Sequence, residues 1–193
     1  MRIAGRYIAS LSLVAISFTT IGSAGPGFNS ERRELALLSR DAGAALQRGL
    51  ANMHLMLESL ELDNPQQAEQ RRADALKEFE LAVKSFQKIS EMAPKQKLVF
   101  DPRTDAEKLA VESFAPALKR RNMEVPATEK ELAQLAEKLV SDFRSTVAES
   151  PRFDKNSRRA YGYFQTLFRD EGFLLNVGIN ASIIWSIQEA GPR

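Results

Sequence analysis

The chain contains no cysteine. Disulfides, thiolate catalysis, zinc–cysteine sites, iron–sulfur clusters and covalent haem attachment are excluded together. It contains one histidine, His54. Mechanisms that need two imidazoles, the HExxH zinc motif among them, go with it. No glycine-rich phosphate loop, nucleophile motif or Ser/His/Asp set occurs in the sequence. The expectation is a protein that is not an enzyme and holds no metal and no cofactor. Proline is missing from 31–64 and from 66–93, so each stretch can run as one unbroken helix. No segment alternates with the two-residue period of a strand, and no convincing internal repeat or low-complexity tract stands out.

The first 24 residues hold no acid. Arg2 and Arg6 precede a short apolar run from Ile8 to Phe18, and Gly22, Ser23 and Ala24 follow it. Positive start, apolar middle and small-residue end are the order of a cleaved secretory signal, read here over residues 1–24. The apolar run is short of the roughly 20 residues that span a bilayer. No cysteine follows it to carry a lipid anchor, and no Arg-Arg pair precedes it, which points to the general secretory route. The expected compartment is periplasmic or secreted.

Removing that segment changes the charge. Two of the 27 basic residues, and none of the 25 acidic ones, lie in it. The remaining chain is formally neutral, so net charge offers no case for nucleic acid. Local clusters at Lys95/Lys97, Lys119–Arg121 and Arg158/Arg159 fall near predicted helix ends, where basic side chains are solvated and complement the dipole. Residues 25–193 are long enough for one domain with an adequate core.

That domain is organised by Glu31 to Ala93. The first half carries an apolar stripe of Leu35, Leu38, Ala42, Ala45, Leu46, Gly49, Met53, Met56 and Leu60. The second carries Ala75, Phe79, Ala82, Phe86, Ile89 and Ala93, widened by Leu76 and Val83. Spacings of three and four keep each stripe on one helical face. Asp63-Asn64-Pro65 between them is turn chemistry, with Pro65 suited to a first helical turn. An antiparallel hairpin centred on Asn64 pairs positions whose numbers add to about 128. Gly49 then faces Phe79, and Ala42 faces Phe86, small against large.

Pro94 stops the second arm, and Leu98-Val99-Phe100 is expected to tuck against the bundle. Thr104–Glu107 and Thr128–Glu131 are capping boxes, each opening an amphipathic run. The first run carries Ala106, Leu109, Ala110, Phe114, Ala117 and Leu118, with Pro116 expected to kink or end it. The second carries Leu132, Leu135, Ala136, Leu139, Phe143 and Val147, and ends near Ser150-Pro151. A further helix is predicted through Tyr161, Phe164, Leu167 and Phe168, with a break at Gly172. Phe173 to Ile187 is apolar on every side, which predicts a helix buried all round. The fold class is all-α: an antiparallel bundle of four to six helices built on the N-terminal hairpin.

His54, Glu58 and Glu61 share one helical flank, and Met53 and Met56 adjoin it. Di-metal bundles need Glu-x-x-His on two helices, which this chain lacks, so the methionines are assigned to the core and His54 to its edge. Asn180-Ala181-Ser182 matches a glycosylation sequon, but its apolar setting marks it as accidental. Two function classes remain. The first is an exported bundle acting as a structural or protein-interaction module. Its partner is another protein or a second copy of itself, with no nucleic acid and no membrane span in the mature chain. A second apolar strip on the first arm supports it: Leu37, Ala44, Ala51, Leu55 and Leu62, opposite the core stripe and in need of cover. The alternative is a small-ligand-binding or sensing bundle with an apolar pocket near the C-terminal aromatic segment. Its ligand-binding residues are Tyr161, Tyr163, Asn176, Asn180 and, as an apolar wall, Trp185.

Overall fold

The computed structural model describes residues 30–98, 102, 104–150, 158–168, 178 and 181. The expected signal at residues 1–24 lies outside them. The described residues are helical, with no strand beyond one isolated bridge. Helix α1 is Ser30–Glu61 and α2 is Pro65–Met92. Helix α3 is Asp105–Lys119 and α4 is Glu129–Ala148. Helix α5 occupies 158–168. The closest helix pairs are α1 with α2 and α2 with α4. Among the described residues no helix is long and apolar enough to cross a membrane.

The hairpin forms as its stripes predict. Leu35, Ala42, Ala45, Leu46, Met53, Met56 and Leu60 of α1 are buried, as are Ala75, Phe79, Ala82, Phe86 and Ile89 of α2. At the centre of the seam only glycine fits. A Cβ on Gly49 would stand 2.7 Å from Phe79 Cδ1, closer than real side chains allow. Ala42 and Phe86, the next pair in that register, are both wholly buried. Phe79 also meets α4, edge-on to Phe143 at 5.5 Å between ring centres. One ring therefore joins three helices.

The turn between the arms is closed by two nested hydrogen bonds. The Asn64 amide donates to Ser59 O at 2.8 Å, and the Asp63 amide donates to Leu60 O at 3.2 Å. This is a Schellman ending, with Asp63 in the left-handed conformation (φ 55°) that glycine usually supplies. Asn64 caps α2 by accepting from the Gln67 amide, and Pro65 opens the helix. Asn122 ends α3 in the same way, at φ 55°.

Both capping boxes form, Thr104 with Glu107 and Thr128 with Glu131. The α2–α3 and α3–α4 connections then meet. Leu98 N donates to Ala127 O at 2.9 Å, and Glu129 N donates to Gln96 O at 3.0 Å, around an antiparallel bridge of Lys97 with Thr128. Leu98 is buried there as expected, while Val99 and Phe100 lie outside the described residues.

One expectation for α3 needs correction. Leu109 is 56% exposed and does not belong to the core face. That face is Ala110, Phe114 and Leu118, and Leu109 lies about 140° around the helix from Phe114. Pro116, expected to kink or end α3, stands inside the helix, which runs three residues further to Lys119. Its missing N–H removes one hydrogen bond to the preceding turn, and Arg120 N closes the helix end on Pro116 O at 3.1 Å.

Candidate functional site

Of the five predicted ligand residues, Asn176, Asn180 and Trp185 lie outside the described residues. The two tyrosines lie on α5 and are not brought together. Tyr161 is half-buried, and its Oη accepts a hydrogen bond from Gln165 Nε2 at 2.8 Å. Burial raises its phenol above the usual range, and the charge of Glu61 on α1 adds to this. Tyr163 is exposed and stands edge-on to Phe164. Two residues of helix rotate a side chain by about 200°, so the hydroxyls leave α5 on different sides.

The buried side of α5 is Phe164 and Leu167. Phe168 lies over His54 of α1, rings nearly parallel at 5.7 Å, and approaches Phe143 of α4 at 6.4 Å. His54 is thus a packed edge residue. Burial holds its imidazole below the usual value, because desolvation disfavours the charged form. Among the described residues no group of three His, Asp or Glu side chains is placed to hold a metal. Within the expected helix Phe173 to Ile187, Gly178 and Ala181 are described, and both are helical and buried. A Cβ on Gly178 would stand 2.9 Å from Val140 Cγ2 and 3.0 Å from Leu46 Cδ1, so this position touches α4 and α1 together.

Two buried charged clusters were not anticipated. Arg72 lies within the apolar stripe of α2, between Ala68 and Ala75. Its Nη1 donates to Ser150 O at 2.9 Å and Ser150 Oγ at 2.8 Å, and its Nη2 pairs with Glu69. The cation therefore closes the C-terminal end of α4, where the helix dipole is negative. At the opposite end of α4, Arg32 of α1 reaches Glu129 through both carboxylate oxygens at 3.0 and 2.9 Å, and its Nη2 donates to Gln96. Glu129 is buried, and desolvation raises its carboxyl while Arg32 pulls it back. Both clusters join helices and have structural work to do.

The outer face of α1 is different. Leu37 and Leu55, with Leu62 in the turn just past the end of α1, remain 37%, 39% and 72% exposed, and Ala44 and Ala51 between them are partly exposed. The strip lies opposite the face that α2 covers. Arg48 beside it is drawn toward α2 by Glu78, at 2.8 Å. Singly exposed leucines are ordinary; here three stand along one side of the same arm. Comparisons with protein-family models, with curated proteins and with solved structures find no match to this chain.

Proposed function

We propose that this chain is an exported helical-bundle protein that acts as a structural or protein-interaction module and binds through the outer face of α1. The observation that carries the reading is the aligned exposure of Leu37, Leu55 and Leu62. Export rests on the order of basic, apolar and small residues in 1–24. A rigid presenting surface fits the rest of the fold. The face of α1 opposite the strip is fixed by the Gly49–Phe79 seam, and its N-terminal end is held by the Arg32–Glu129 pair. Binding without catalysis agrees with the buried charges, which are engaged in joining helices.

The test is site-specific photo-cross-linking in cells that produce the full chain. A photoreactive residue at Leu55 should give one defined adduct in the extracytoplasmic fraction, identified by mass spectrometry. The same residue at exposed Lys77 on α2 should give none. A chain that never leaves the cytoplasm, or that cross-links equally from both positions, overturns the reading.

A further inference from the structure

The strip on α1 has an internal symmetry. Leu37 and Leu55 are about five helical turns apart and fall on one line, as do Ala44 and Leu62. Arg40 and Glu58 are also about five turns apart, on one flank of the strip. Both are exposed, and among the described residues neither is in an ion pair.

Consider two copies of α1 laid antiparallel about a two-fold axis between Gly49 and Leu50. Positions whose numbers add to about 99 then face each other. Leu37 meets Leu62 of the second copy. Ala44 meets Leu55 of the second copy, so a small residue receives a large one. Arg40 meets Glu58 of the second copy, and the symmetry repeats that pair. In a parallel arrangement the two-fold runs along the helices and sends the Arg40 and Glu58 flanks of the two copies to opposite sides of the seam, so this mutual pairing forms only in the antiparallel arrangement. The centre stays open to close approach, because Ala51 is small and Arg48 is held away by Glu78. The strip is about 37 Å long, enough for a continuous helix–helix seam.

We infer that the partner on this face is a second copy of the chain, packed antiparallel across that axis. The inference rests on the interaction-module reading and names its partner. An isologous contact of this kind uses the same patch twice and closes on itself, so it ends at a dimer.

The test uses the purified exported chain. Sedimentation velocity at tens of micromolar should give twice the chain mass. Arg40→Glu should weaken association by about tenfold or more, Glu58→Arg should do the same, and the double variant should restore it. All three are surface changes, and circular dichroism checks that each remains helical. The absence of native cysteine makes introduced thiols unique. Mixed Leu37→Cys and Leu62→Cys chains should form a disulfide-linked pair, whereas Leu37→Cys alone should not. A homodisulfide at position 37 means a parallel pair and overturns the inference, as does a charge swap that restores nothing. A monomer that still cross-links from position 55 to a different polypeptide overturns the inference and leaves the interaction reading standing. A monomer that captures nothing overturns both.

Discussion

Gly49 and Gly162 are both helical glycines, and they predict opposite responses to the same substitution. Replacing glycine by alanine in a helix interior ordinarily gains about 0.5–1 kcal/mol from backbone entropy. At Gly162, on α5, nothing lies within 4 Å of an added Cβ, so the gain should appear in full. At Gly49 the Cβ collides with the Phe79 ring, which is wholly buried and stands edge-on to Phe143. Overpacking of a close-packed core costs about 1–3 kcal/mol, which exceeds the propensity gain. Thermal melts should therefore show Gly162→Ala raising stability and Gly49→Ala lowering it. Equal shifts in the two variants contradict the seam geometry. Arg72 teaches a related lesson. The spacing Ala68, Arg72, Ala75, Phe79 already places it on the core stripe, so its burial was legible in the periodicity. Its partner Ser150 was not, because no local pattern links α2 to the end of α4.

The helices and their ends were readable wherever the signal is local. Both capping boxes need only four consecutive residues, and both form. The hairpin register followed from one turn and two stripes, and Gly49 against Phe79 obeys it. What failed needed knowledge of neighbours. Leu109 has acceptable spacing for a core face, yet α3 buries the face centred on Phe114. The Arg32–Glu129 pair joins residues that only the assembled fold brings together. Of the predicted ligand residues, Tyr161 and Tyr163 stand on a helix about 200° apart, and Asn176, Asn180 and Trp185 lie outside the described residues. The left-handed turns at Asp63 and Asn122 left a weak trace: Asn and Asp tolerate that conformation better than other residues with side chains.

His54 couples the bundle as a unit to pH. It is the only histidine, so no other side chain has its usual titration range between the carboxylates and the tyrosines and lysines. Its folded value lies below the unfolded one because burial against Phe168 disfavours the imidazolium. The unfolded chain therefore takes up this proton first. Stability from His54 is complete above about pH 6.5 and is lost as pH falls through that value toward the lower folded one. The melting-temperature advantage of the wild type over His54→Gln should be largest near pH 7.5 and shrink near pH 5.5, with the wild type falling more steeply. Glu129 has the opposite sign. Its raised folded value makes the native state hold a proton longer, so its contribution is lost as pH rises through the upper carboxylate range. The bridge of Lys97 with Thr128 has a consequence for motion. It brings the two ends of the α3 excursion to one point, so the chain leaves and returns to the bundle at a single rung. Helix α3 is therefore the element expected to open first, exposing Phe114 and Leu118 while the α1–α2 seam holds. Such a unit opens for less than the free energy of global unfolding. Amide hydrogen exchange should show residues 108–118, apart from Pro116, losing protection as a group, well before the paired faces of α1 and α2.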